Sequence, residues 1–314
     1  MVTMGSTITI NVIAASAGLQ PFIQATSWEG QIVAVFHRSI LCTAPDEHLL
    51  HLHTGPCLAS PFSLRTEGNF ANVLRATPFV QGAPVRKIDL TLEIAEDVHL
   101  RLDRTTFYQS PRHFSGAVEP EAVRHARQTL RSFGHTGGFD RLLNVQAILT
   151  AIKQAFTDKN SAQMLNAARH LIGLGPGLTP SGDDFLVGCL RGLWLLRMSA
   201  PGARQMLDCL RAALPVDLKA CTTRVSAEFI RYALDGAFAE VLDQAARALL
   251  APSYPEMVHS AVRRLLAQGE TSGTDTMFGL LTCLEALASI LDPEPHDAWQ
   301  NMLSTLSTSA ATQG

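Results

Sequence analysis

Lys87-Ile88-Asp89-Leu90-Thr91-Leu92-Glu93-Ile94 alternates polar and apolar residues almost without error. A period of two sends successive side chains to opposite faces of an extended chain, so the stretch reads as a half-buried antiparallel strand. Outward from it, residues 8–14, 31–36, 48–53, 85–94 and 98–102 form β-type bursts separated by Gly and Pro clusters. No long helical pattern lies between them to carry parallel crossovers. Residues 7–102 are therefore expected to build a mostly antiparallel sheet or small barrel.

The rhythm changes across Ser110-Pro111 to Glu119-Pro120. Beyond this break apolar residues recur at helical spacing, with Ala and Leu dominating, and both are strong helix formers. The spacing predicts helices over 120–132, 140–157, 161–172, 183–198, 202–213, 216–233, 237–250, 255–268, 275–291 and 295–304. The fold class expected is α+β: an N-terminal, mostly antiparallel β lobe followed by a larger all-helical lobe. The expected boundaries are 1–115 for the β-rich lobe, 116–306 for the helical lobe and 307–314 for a frayed Ser/Thr/Ala-rich tail.

Composition excludes several functions. Of the 314 residues, 46% are hydrophobic and 17% charged, enough apolar material for a sizeable core and too much for disorder. Net charge is −3 and no basic run of five exists, so nucleic acid is not an expected partner. The most apolar stretch, 185–196, carries Arg191 and is too short to span a bilayer, so no membrane role is expected. The start Met-Val-Thr-Met-Gly lacks a positive segment and a long apolar run, and no secretory signal is expected. Six dispersed cysteines without a C-x-x-C pair argue against disulfides and structural zinc, so the expected location is cytoplasmic.

Three stretches carry candidate chemistry. The first is Gly173-Leu174-Gly175-Pro176-Gly177-Leu178-Thr179-Pro180-Ser181-Gly182-Asp183-Asp184, a bent but stiff loop between two helical patterns. It lets a ligand approach the main chain, and the helix start that follows offers N–H groups to an anion. It is neither a Walker A loop nor a dinucleotide fingerprint. The plain structural alternative is a capped helix connection, with Ser181 as N-cap and Asp183 and Asp184 at the positive helix end.

The second stretch, residues 269–281, repeats the pattern. Both segments follow Ser-Gly-x-Asp-x-(Leu/Met)-x-Gly-x-Leu, matching Ser181 with Ser272, Gly182 with Gly273, Asp184 with Asp275 and Gly188 with Gly279. A glycine inside a helix costs about 1 kcal/mol relative to alanine, and close packing of the two helices is the simplest compensation. The two helix starts are expected to converge on one pocket faced by Asp184 and Asp275; two similar helices that never meet are the alternative. The third stretch runs Cys221-Thr222-Thr223-Arg224-Val225-Ser226-Ala227-Glu228. On a continuous helix Thr222 and Ser226 share a face, and Arg224 beside them could clamp a carboxylate or phosphate. Alternatively, the hydroxyls bond back to helix carbonyls and Arg224 is solvated.

The expected catalytic residues are Asp184, Asp275 and Arg224. Gly175, Gly177, Thr179, Ser181, Gly182, Asp183, Thr222, Thr223, Ser226, Ser272, Gly273 and Thr274 are the expected substrate-binding positions. Whether Asp183 or Asp184 faces the pocket is left open, with the repeat favouring Asp184. His51 and His53 share one face of an expected strand, but no third metal ligand accompanies them. No metal-binding residues are therefore assigned. The cofactor is left open, with Mg²⁺ as the candidate.

The run 173–184 resembles the hallmark of a bacterial family long catalogued as a domain of unknown function, which includes the AllH-type subunit of oxamate carbamoyltransferase. Thr222-Thr-Arg-Val-Ser226 and Thr271-Ser-Gly-Thr-Asp275 fit the same family, as does Gly55-Pro56…Ser60-Pro61-Phe62 in the first lobe. The resemblance implies a carbamoyltransferase subunit acting with other protein subunits in allantoin breakdown. There, oxamate and carbamoyl phosphate are interconverted with N-carbamoyl-oxamate and phosphate. Two other readings stand beside it: a non-catalytic partner docking onto a catalytic subunit, and a metal-dependent hydrolase built on the paired Asp residues.

Overall fold

The computed structural model describes residues 7–214 and 218–288. The chain divides between Ser110 and Pro111 into two compact units. The first contains nine strands: β1 (Ile8–Ser16), β2 (Ser27–Val35), β3 (Ser39–Thr43), β4 (Leu49–His53), β5 (Ser63–Thr66), β6 (Pro84–Ile88), β7 (Thr91–Ala95), β8 (Val98–Arg101) and β9 (Thr106–Tyr108). Two short helices, α1 (Gln20–Gln24) and α2 (Phe70–Ala76), interrupt them. The order β5-β4-β3-β2-β6-β7-β8-β1 closes on itself because β1 also pairs with β5, giving an eight-stranded barrel with β9 added beside β1. The β1–β8, β1–β9 and β4–β5 pairings are parallel and the other six are antiparallel. Ile10, Val12, Leu52, Leu64, Val85 and Leu100 are buried in its core.

The stretch 87–94 corrects the sequence reading. It is not one strand but the two arms of a hairpin, β6 and β7, turned by Asp89-Leu90. Asp89 adopts a left-handed φ of 48°, a conformation Asp tolerates better than most residues. Burial parity differs between the arms: Val85 and Lys87 point inward on β6, whereas Ile88 and Leu90 are exposed. Lys87 survives inside because its ammonium donates to the Ala25 carbonyl. The alternation looked unbroken because polar Lys87 occupies a buried position and apolar Ile88 an exposed one. Strands β3, β5 and β9 had no sequence expectation; each is five residues or fewer.

The second unit is helical: α3 (Pro120–Phe133), α4 (Val145–Thr157), α5 (Ser161–Leu171), α6 (Ser181–Leu196), α7 (Pro201–Ala213), α8 (Leu218–Cys221), α9 (Arg224–Leu234), α10 (Glu240–Ala248), α11 (Pro255–Leu266) and α12 (Ser272–Ala288). Together the units form an α+β protein with the β structure first. The helix expected over 216–233 is broken: α8 ends at Cys221 and α9 begins at Arg224, because Thr223 caps α9 by accepting from the Ser226 N–H at 3.1 Å. The helix expected from 140 starts at 145, after a 3-10 turn at Phe139–Arg141 and a left-handed Asn144. The expected helix 295–304 and the tail 307–314 lie outside the described residues.

Helices α6 and α12 form the centre of this unit. All but one residue of α6 are buried, including Arg191, whose guanidinium pairs with Asp243 at 2.9 Å and lies over the rings of Phe114 and Phe238. Gly188 and Gly279 lie at the crossing, where each helix meets the other's main chain.

Candidate functional site

Both helix starts are built the same way. The Gly182 N–H donates back to the Leu174 carbonyl at 2.9 Å, and the Gly273 N–H to the Gln268 carbonyl at 3.0 Å. A Cβ at either glycine would collide with the helix before it, 2.2 Å from the Leu171 oxygen at Gly182 and 1.9 Å from the Leu265 oxygen at Gly273. The glycine of each Ser-Gly pair is therefore needed for close approach. Ser181 is not the N-cap expected for it: Pro180 holds that position, and Ser181 is the first helical residue.

The serines reach across to the opposite helix. The Ser272 and Thr179 hydroxyls hydrogen-bond to Asp184, while those of Ser181 and Thr271 hydrogen-bond to Asp275. Thr179 Oγ1 and Ser272 Oγ are 2.8 Å apart. Asp275 Oδ1 also accepts the Phe139 N–H at 2.8 Å. The Oδ2 atoms of both aspartates are buried with no hydrogen-bond partner. Burial pushes the Asp184 pKa well above the usual carboxylate range; the Ser272 and Thr179 hydrogen bonds oppose this, and the charges of Asp275 and Asp183 add to it. Burial also raises Asp275, to about 6, against the hydrogen bonds from Phe139, Ser181 and Thr271.

Asp183 faces away from this pair. Its Oδ1 accepts the Gly173 N–H at 2.8 Å, its Oδ2 accepts the Thr222 hydroxyl, and Ser226 adds a third hydrogen bond. Both neighbouring aspartates are thus buried, but on different partners. The Thr223 hydroxyl donates to the Leu178 carbonyl at 2.5 Å. Thr222 and Thr223 therefore clamp the Gly-rich loop from the α8–α9 break and do not form a stripe along one helix. Arg224, the first residue of α9, is half-buried. The loop carries positive φ at Gly173, Gly175 and Gly177, and exposes Gly177 and Leu178. Thr274 accepts the His135 N–H at 2.9 Å.

Sequence reasoning missed residues 134–139. This segment wraps the start of α12, supplies the Phe139 N–H, and stacks the Phe139 ring on Phe185 at 4.2 Å. A Cβ at Gly138 would sit 2.4 Å from Asp275 Oδ2. The available signal was the cluster Gly134, Gly137 and Gly138 between two helical patterns.

Chemically, the arrangement offers two buried carboxyl groups of unequal acidity, a separate pair of hydroxyls on each, and an exposed glycine in the loop that leads into α6. Among the described residues no three His, Cys, Asp or Glu side chains cluster as metal ligands. No described helix is long and apolar enough to cross a membrane.

A β-barrel unit followed by a helical unit with a doubled Ser-Gly-x-Asp helix start defines an α+β protein organised around a paired-aspartate centre. Residues 171–284 match the family described as oxamate carbamoyltransferase subunit AllH. The match contains both helix starts, the Gly-rich loop and the Thr222–Thr223 clamp. The family's description names a subunit. No solved structure matches the chain.

Proposed function

We propose that this chain is a carbamoyltransferase subunit of the oxamate carbamoyltransferase type, serving allantoin catabolism. The paired starts of α6 and α12 hold its small anionic substrate, carbamoyl phosphate or oxamate. The observation that carries this reading is the crossed pair Asp184 and Asp275 with their serines, which lies within the family-matched stretch.

Two ionised aspartates would repel such substrates, but burial resists the ionisation of Asp184, leaving the charge on Asp275 alone. Asp184, whose carboxyl burial pushes well above the usual carboxylate range, serves as the hydrogen-bond donor towards an oxyanion or carbonyl. Asp275, with a pKa near 6, is poised to accept a proton at neutral pH. In carbamoyl transfer the oxamate amide nitrogen bonds to the carbamoyl carbon, the carbon–oxygen bond to phosphate breaks, and the amide proton passes to such a base. The hydroxyls of Thr179 and Ser272 and the N–H groups of Gly175 and Gly177 bind the anion, with Arg224 supplying positive charge. Asp183, Thr222, Thr223 and Ser226 hold the loop in place.

A docking reading has its own support. Leu178 on the loop and Leu143 nearby are 52% and 86% exposed, and a groove of about 670 Å³ between α4 and α5 reaches Leu174. The first test is thermal stability of the purified chain with carbamoyl phosphate, phosphate, oxamate and ATP, each with and without Mg²⁺. A rise with carbamoyl phosphate or oxamate that disappears in Asp184→Asn or Asp275→Asn supports the substrate site. No rise with any of them assigns the site to a partner chain.

A further inference from the structure

The barrel unit holds a second group of chemistry-bearing side chains, outside the family-matched stretch. Strands β4 and β5 run parallel, pairing His51 with Ser63 and His53 with Arg65. Paired residues on neighbouring strands point to the same side of a sheet, so these four share one face, opposite Leu50, Leu52 and Leu64. The hydroxyls on that face satisfy one another. Ser60 Oγ lies 2.9 Å from Ser63 Oγ and 3.4 Å from His51 Nδ1, and Ser16 Oγ donates to the Ser60 carbonyl at 3.1 Å.

The two nitrogen groups beside them are not satisfied. His53 is 4% exposed and its Nε2 has no hydrogen-bond partner. The Nε of Arg65 is likewise buried without one, and the guanidinium's hydrogen bond is a long one, 3.5 Å from Nη1 to the Gly55 carbonyl. No carboxylate pairs with Arg65 among the described residues. Protein interiors rarely leave such groups open, and adjacent open groups imply a shared partner.

Charge decides what that partner is. A cation is disfavoured beside Arg65, whereas the planar guanidinium fork suits the paired oxygens of a carboxylate or phosphate. We propose that this face of the barrel binds a small oxyanion, a carboxylate or phosphate, held by Arg65 and hydrogen-bonded to His53 Nε2. The His53 ring pKa is pushed down to about 4, by burial first and also by the charge of Arg65, while a hydrogen bond with the Thr54 backbone opposes the shift. An anion between the two side chains offsets the Arg65 charge. The proton shared with Nε2 then comes from solvent or, for phosphate, from the ligand's own hydroxyl.

The test follows the ring nitrogens of the full chain labelled with ¹⁵N-histidine, titrated with inorganic phosphate and separately with acetate; His53→Gln assigns the His53 signals. A saturable shift of His53 Nε2 is expected with at least one anion. Phosphate alone would identify a phosphate site, and acetate alone a carboxylate site. Arg65→Gln should weaken binding at least tenfold while Asp184→Asn leaves it unchanged, which separates this site from the helical one. His53 signals unmoved by both anions overturn the proposal, as does undiminished affinity in a folded Arg65→Gln chain.

Discussion

A Cβ placed on Gly188 would lie 2.0 Å from the carbonyl oxygen of Thr276, a backbone atom that cannot swing aside. In an isolated helix Gly→Ala is favourable by about 1 kcal/mol. Here the clash reverses the sign, and Gly188→Ala is expected to destabilise the chain by about 2–3 kcal/mol through overpacking. Urea denaturation checks this; a stabilised Ala variant would show that α6 and α12 are not in such close contact.

Asp275 holds its proton more firmly in the folded chain, at about 6 against an ordinary 3.8. Its contribution to stability is fully present below the ordinary value and is lost as the pH rises through about 6. The loss amounts to about 3 kcal/mol across that window. Asp275→Asn should flatten this part of the stability–pH profile, measured by denaturation at a series of pH values. An unchanged slope in the variant would mean that other groups set it.

Thr222→Val removes one of three donors to Asp183 and is expected to cost about 1–2 kcal/mol. The more specific effect is local, because Asp183 joins Gly173 at one end of the loop to the α8–α9 break. Limited proteolysis should cut faster near Gly177 and Leu178 in the variant. Equal cleavage rates would show that the Thr223–Leu178 hydrogen bond holds the loop without help.

Asp184→Asn preserves shape and is expected to leave folding and complex assembly intact while lowering turnover by about 10²-fold or more. Activity and assembly should be measured on the same reconstituted complex. Normal turnover in whatever complex forms, together with weakened assembly, would favour the docking reading.

Much of the architecture was legible in the sequence. The switch in periodicity across residues 110–120 separates β from helical structure, and the repeated Ser-Gly-x-Asp pattern pairs Asp184 with Asp275. What escaped has physical causes. The β6–β7 turn is hidden because buried Lys87 and exposed Ile88 imitate a continuous strand. The break at Thr222-Thr223 is hidden because a capping hydroxyl has the same composition as a polar helix face. Residues 134–139 belong to no periodic element, and their contact with Asp275 spans 136 positions in sequence.

The crossed serines carry one more consequence. Ser181 reaches Asp275 and Ser272 reaches Asp184, and Gly188 meets Thr276 just as Gly279 meets Phe185. This reciprocity is the signature of an isologous interface, the kind that joins two identical subunits about a twofold axis, but here it lies inside one chain. A molecule on that local axis would meet the same functional groups from both sides. Phe139 breaks the equivalence by donating its N–H to Asp275, leaving one acidic and one more basic carboxyl where perfect symmetry would give two alike.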